Sequence, residues 1–170
     1  MLIFLVGYMG AGKSSVGELL ANKMNYRLID TDSWIENRCC KTVSDIFNDS
    51  GEDYFRSKEK ECLEFLIDKD DIVVATGGGL PCSNDLMDLM NEMGEVVYLQ
   101  ASITTLKNRL FSNSHFRPLI EGFKSEDELE RFIQLQLAVR EPVYNLSKYV
   151  IEVDNLKTIE VVSTIHSMLS

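Results

Sequence analysis

The chain opens on an apolar run, Leu2-Ile3-Phe4-Leu5-Val6, that stops at a glycine and continues as "GYMGAGKSS". This junction limits the possible folds more than any other stretch. The run is short and rich in strand formers, so it suits a buried strand. Gly7 to Ser14 fit G-x-x-x-x-G-K-[ST] at every specified position. Gly7, Gly10 and Gly12 carry no Cβ, so the backbone can curl and turn its N–H groups toward an anion. Lys13 adds a full positive charge, and the Ser14 hydroxyl suits a hard cation such as Mg²⁺. Val16, Leu19, Leu20 and Met24 then mark one apolar face of a helix whose N-terminus points at the same anion. Strand, loop and helix in that order are the context of a phosphate-binding P-loop. A signal peptide would carry a basic residue ahead of the apolar run, and only Met1 precedes it. A dinucleotide loop would place glycine where Ser15 stands and has no use for Lys13.

A length of 170 residues predicts one ordinary domain, spanning 1–170. A net charge of −10 argues against broad electrostatic binding to nucleic acid or to acidic membranes. An anionic substrate therefore needs a local basic cluster. No apolar run approaches the length of a membrane span. Cys39, Cys40, Cys62 and Cys82 form no C-x-x-C pair and no zinc spacing, so reduced thiols in the cytoplasm are the expectation. With two histidines, His115 and His166, there is little material for histidine catalysis.

Strand patterns at Tyr26–Ile29, Asp71–Thr76, Glu95–Leu99 and Lys148–Val153 alternate with helical ones. The latter lie at Asp53–Ile67, Asn84–Met93, Thr104–Leu110, Ser125–Leu137 and near Thr158–Leu169. In the fourth, Ser125 and Glu128 can form a capping box. Such alternation predicts an α/β fold, a parallel sheet covered by helices on both faces, with ligands at the carboxyl ends of the strands. Two intervals break the rhythm. Asp32 to about Leu66 is too long for a simple crossover and carries several short helical patterns. Phe111–Lys124 mixes polar residues with Gly, Pro and scattered apolar ones, which suits a mobile lid over about 111–124.

The remaining constellations are weak one by one. "DTD" puts Asp30 and Asp32 just after the second strand, where one carboxylate could serve Mg²⁺ and the other a substrate hydroxyl, or either could cap a helix. "ATGGG" ends the third strand, either for close backbone approach by a ligand or for a tight turn. Arg56 and Glu59 stand three apart on a helix and can touch, as many solvated pairs do. Arg140 lies beside a Glu-Pro break. Arg109 and Arg117 flank the start of the lid interval. With Lys13, these arginines could supply the basic cluster that an acidic nucleotide-binding protein needs.

Together these motifs closely resemble the shikimate kinase family, in order, at near-family spacing and almost end to end. "GYMGAGKSSVG" looks like its nucleotide loop. "DTD", "FR" with a glutamate three residues after the arginine, "TGGG", "RPL" and an arginine four residues before a tyrosine follow. The resemblance implies a three-layer α/β/α P-loop NTPase fold around a five-stranded parallel sheet in the order 2-3-1-4-5. It implies transfer of the ATP γ-phosphoryl group to the 3-hydroxyl of shikimate, with Mg²⁺, on the route to aromatic amino acids. Gly10, Ala11, Gly12, Lys13, Ser14 and Ser15 would bind the nucleotide phosphates. Ser14 would hold Mg²⁺ directly, and Asp30 would reach it through water. Asp32 would bind the ring hydroxyls, orienting the nucleophile and taking its proton. Arg56 and Arg140 would clamp the carboxylate, with Glu59 orienting Arg56, while Gly78 and Gly79 meet the ring through their backbone. Arg117 would close onto the phosphates, Arg109 would lie against the adenine, and Phe47 and Phe55 would wall the pocket. The interval 32–66 would be the substrate-binding insertion. Two features depart from the family: Ser15 replaces a frequent threonine, and Cys39-Cys40 matches no family feature.

The expected protein is a cytoplasmic monomer acting on shikimate and ATP, with no nucleic-acid or membrane partner. Two other readings stay open at this point. A gluconate-type P-loop kinase would share the nucleotide loop but not the acceptor. A nucleotide-dependent switch would want D-x-x-G and N-K-x-D; the first is absent, and "NKMN" lacks the final aspartate.

Overall fold

A computed structural model describes residues 1–112, 123 and 125–169. The expected strand Leu2–Val6 is β1, and all five of its residues are buried. It is flanked by β3 (Ile72–Ala75) and β4 (Glu95–Gln100), with β2 (Arg27–Asp30) and β5 (Tyr149–Glu152) at the edges. The order is β2-β3-β1-β4-β5, with every neighbouring pair parallel, as the family resemblance implied. Parallel central strands need cover on both faces, which explains why β1 and β3 read as unbroken apolar runs.

The helices are α1 (Lys13–Met24), α2 (Thr31–Cys39), α3 (Val43–Leu66), α4 (Leu86–Met93), α5 (Ile103–Ser112), α6 (Glu126–Tyr144) and α7 (Thr158–Leu169). Among the described residues, no helix is long and apolar enough to cross a membrane. The main core gathers around β1, β3 and β4. A second, small core of Ile35, Ile46 and Phe55, with Phe47 and Trp34 packed against it, lies within α2 and α3. The interval 32–66 thus folds as helices with an apolar centre of their own.

Two helices run further than their sequence patterns. The helix expected over Asp53–Ile67 begins at Val43, where Thr42 caps it by accepting from the Asp45 N–H at 3.1 Å. It breaks internally at Gly51, whose φ of 80° and ψ of 174° interrupt the helical backbone. A left-handed φ of this size is tolerated by glycine and strains other residues. The helix expected to stop at Leu137 continues through Pro142 to Tyr144. Proline there forfeits one hydrogen bond near the C-terminus. The Asn145 N–H still donates to the Glu141 carbonyl at 2.9 Å, and the fully buried Tyr144 ring anchors the last turn. Arg140 therefore projects from a helix and not from a break. The start of the lid interval differs too, since Phe111 and Ser112 complete α5. Residues 113–122 and 124, with Arg117 among them, lie outside the described residues.

Candidate active site

Three strands end side by side, and each releases one piece of the site. β1 leads into the phosphate loop, β2 into "DTD" and β3 into "GGG". At the loop's end Gly12 holds φ at 102° and turns the chain into α1. The Lys13 ammonium is buried and donates to the carbonyls of Gly7 at 2.7 Å and Tyr8 at 2.9 Å. Arg109, from α5, donates to the carbonyls of Gly10 at 3.1 Å and Ala11 at 3.2 Å. Both cations thus bind loop carbonyls.

The two aspartates divide the roles that the sequence left open. Asp30 is the cap of α2, accepting from the Ser33 N–H at 3.1 Å through one carboxylate oxygen. Its other oxygen accepts from the Ser14 hydroxyl, also at 3.1 Å. A hydroxyl and a carboxylate oxygen so paired, both lining the cleft, form a hard donor set of the kind Mg²⁺ prefers when phosphates and water complete its shell. Asp32 does no capping. Burial first, and the Asp30 charge second, push its carboxyl up to about 6, while Lys13 and Arg56 pull the other way.

On α3, Arg56 donates to Glu59 at 2.8 Å and to Glu52 at 2.9 Å. Unlike most pairs at this spacing, it is not solvated, because the Glu59 side chain is only 1% exposed. From α6, the Arg140 guanidinium lies 5.7 Å from the centre of the Tyr8 ring. Phe47 and Phe55 pack ring to ring at 4.7 Å.

The three glycines after β3 sit against three different partners. A Cβ on Gly77 would lie 2.5 Å from an Asp32 carboxylate oxygen. On Gly78 it would lie 3.4 Å from the Met9 amide nitrogen and 3.7 Å from Arg140. On Gly79 it would lie 2.8 Å from the Arg56 guanidinium. Consecutive glycines therefore admit the two arginines and the aspartate to one small space. The turn reading also holds, since the Leu80 N–H returns to the Gly77 carbonyl at 3.2 Å.

Most of these groups border one cleft of about 870 Å³. It brings together Gly10, Ala11, Gly12, Lys13, Ser14, Ser15, Asp30, Asp32, Phe47, Phe55, Arg56, Glu59, Gly78, Gly79, Arg109 and Arg140. Of the residues singled out for the site, Arg117 alone cannot be located, because it falls outside the described residues. Sequence reasoning overlooked Gly77, the buried Thr31, whose hydroxyl accepts from the Gly77 N–H at 2.8 Å, and Tyr144, whose hydroxyl donates to the Gly78 carbonyl at 2.6 Å. Each stands inside a quoted motif, but nothing in a motif says which member faces the ligand and which one braces it.

A phosphate loop on the first strand of a 2-3-1-4-5 parallel sheet, facing a cleft lined with arginines and carboxylates, defines a small-molecule kinase of the P-loop class. The chain belongs to the shikimate kinase family, whose model matches residues 9–170. It is 46% identical to a shikimate kinase of Azobacteroides pseudotrichonymphae over 87% of each chain. It is 42% identical to that of Phocaeicola vulgatus, covering 91% of this chain and 88% of the relative. A crystal structure of shikimate kinase from Bacteroides thetaiotaomicron superposes with a TM-score of 0.93 at 37% identity, over 99% of this chain and 98% of that one. The Acinetobacter baumannii enzyme in complex with shikimate gives 0.86 at 30% identity, over 99% and 92%.

Proposed function

We propose that the chain transfers the ATP γ-phosphoryl group to the 3-hydroxyl of shikimate, giving shikimate 3-phosphate and ADP. The observation that carries this reading is the sharing of one cleft by a phosphate loop, a buried carboxylate and two arginines on adjacent glycines. Phosphoryl transfer asks for in-line positioning and charge neutralisation, and little covalent work from the protein. The loop N–H groups and the N-terminus of α1 take the phosphates. Lys13, now on two carbonyls, turns its ammonium to the β- and γ-phosphates. Ser14 would hold Mg²⁺ directly and Asp30 through water, and the ion when bound would neutralise phosphate charge. Arg109 lies beside the nucleotide, and Arg117 keeps the phosphate-facing role that the family likeness implies.

Arg56 and Arg140 grip the substrate carboxylate, because paired guanidinium forks suit a carboxylate better than any other side chain does. Glu59 keeps Arg56 turned toward the pocket. Asp32, within electrostatic range of both Lys13 and Arg56, accepts a hydrogen bond from the 3-hydroxyl, aligns it and receives its proton. The net charge of −10 speaks against a nucleic-acid partner. A cytoplasmic location rests on the spacing of the four cysteines, which offers neither a C-x-x-C pair nor a zinc pattern. The test is a coupled ADP-release assay with ATP, Mg²⁺ and a panel of hydroxylated acids. Release should depend on shikimate. Release that is indifferent to any added acid, or that prefers a sugar acid, would overturn the assignment.

A further inference from the structure

We infer that Tyr8 is a positioning residue for acceptor recognition: its ring is the surface against which the Arg140 guanidinium lies, and it sets how that guanidinium meets the substrate carboxylate. The inference rests on the proposed function for the identity of the carboxylate, but not for the contact between the two side chains. Tyr8 belongs to the phosphate loop by sequence, yet it is 1% exposed and does not line the cleft, whereas Arg140 does. The guanidinium lies 5.7 Å from the centre of the ring, within the range at which an aromatic face holds a cation. The Tyr8 hydroxyl is buried and, among the described residues, unpartnered. What this residue offers the site is therefore its ring.

The two arginines of the cleft are steered by different means. Arg56 is gripped by Glu52 and Glu59. Arg140 meets no carboxylate among the described residues; it lies near the Tyr144 hydroxyl on its own helix and against the Tyr8 ring on the loop. A neutral aromatic face holds a guanidinium without neutralising it, so its paired donors keep their full charge for an incoming carboxylate. A resident carboxylate would compete with the substrate for those donors. Tyr8 is also tied down through its backbone. Its carbonyl accepts from the Lys13 ammonium at 2.9 Å and from the Ala11 N–H at 3.1 Å. The turn that receives one substrate thus fixes the ring that places the recognition group for the other.

The experiment compares Tyr8→Leu, which removes the ring, with Tyr8→Phe, which keeps it. Tyr8→Leu should lower kcat/KM for shikimate by about three- to thirty-fold, the worth of one cation–ring contact, chiefly through KM and with the ATP Kd unchanged. Tyr8→Phe should restore it. The loss in Tyr8→Leu should shrink with shikimate methyl ester, which lacks the charge, and in an Arg140→Gln background, where the guanidinium is gone. No loss in Tyr8→Leu, an equal loss with acid and ester, an equal loss in both backgrounds or a matching loss of ATP affinity would overturn the inference. So would a loss that Tyr8→Phe shares, which would hand the role to the hydroxyl. A further measurement needs neither a variant nor a substrate. In NMR spectra of the wild type, the Arg140 guanidinium N–H protons should show cross-relaxation with the Tyr8 ring protons, and its absence would overturn the inference. Wild-type protein without shikimate-dependent turnover would instead bring down the proposed function, and leave the cross-relaxation to decide the role of Tyr8.

Discussion

Arg56 donates to Glu59 across 2.8 Å, and the carboxylate it meets is 1% exposed, with its other oxygen buried and, among the described residues, unpartnered. Burial pushes the Glu59 carboxyl from 4.5 up to about 7, against the pull of Arg56. The folded protein thus binds this proton more tightly than the unfolded chain does. Its contribution to stability is whole below about pH 4.5 and is lost as pH rises through about 7. Urea unfolding of the wild type and of Glu59→Gln should show a stability difference that shifts against the wild type by roughly 1–3 kcal/mol across that interval. A difference that does not change with pH would mean that Glu59 stays ionised throughout.

The carboxylate clamp should respond to lysine as to a real loss. Lysine keeps the charge but not the paired, directional donors. Arg56→Lys or Arg140→Lys should lower kcat/KM for shikimate by about two to four decades, the cost of damaging a desolvated charge pair, and leave the ATP Kd nearly unchanged. Shikimate methyl ester should be a poor substrate for the wild type. The two variants should discriminate less between acid and ester. Equal use of acid and ester by the wild type would remove the clamp from the mechanism.

If Asp32 takes the acceptor's proton, as proposed, it should set the pH dependence of the chemistry. Its carboxyl sits at about 6, so the ionised form needed to accept the 3-hydroxyl proton is depleted below that value. In the free enzyme kcat/KM should fall about tenfold per pH unit on the acid side. Asp32→Asn should cut turnover by about two decades or more while ATP still binds. If the low activity left in the variant keeps the wild-type acid limb, alignment and not proton transfer is what Asp32 contributes.

The glycines after β3 should separate by kinetic symptom. A methyl on Gly77 would press on Asp32, and one on Gly79 would press on Arg56. Both neighbours are side-chain ends that can shift, so Gly77→Ala and Gly79→Ala should fold normally. Gly77→Ala should lower kcat, and Gly79→Ala should raise the KM for shikimate. Gly94 provides the contrast, because a Cβ there would lie 2.5 Å from the Leu2 backbone oxygen, which cannot move aside. Gly94→Ala should leave the kinetic constants of the folded fraction intact and lower the thermal midpoint, by an amount consistent with about 1–3 kcal/mol of overpacking.

Much of this molecule was legible before any coordinates. β1 and β3 announce themselves because both faces are covered, so each reads as an unbroken apolar run. Lys13, Ser14 and the loop glycines were legible because a phosphate loop uses local spacing. Arg56 and Arg140 were visible only through family likeness, since no local pattern relates residues on α3 and α6. The role of Asp30 as a cap, leaving Asp32 free, was undecidable, because "DTD" offers two residues equally able to cap. The start of α3 at Val43 was hidden by Gly51, which halts the apolar period in mid-helix. Tyr144 was hidden because its partner is a backbone carbonyl, and a carbonyl has no signature in a sequence.

The break at Gly51 also has a consequence for how the pocket can be altered. A continuous helix is one rotational object: insert a residue and everything beyond turns by about 100° relative to everything before. Here Phe47 precedes the break, and Arg56 and Glu59 follow it. The glycine has open space around its missing Cβ, but Ile46 and Phe47 before it share a small core with Phe55 after it, and the Phe47 and Phe55 rings meet at 4.7 Å. That contact holds the two halves in a common phase although the helical backbone between them is broken. A residue inserted between Phe47 and Gly51 should turn the Phe47 ring off Phe55 and open the small core beside Arg56. In the proposed reading, the surface against which the ring rests and the group that recognises its acid are therefore coupled through one aromatic contact, and a change of acceptor shape at the first should be felt at the second.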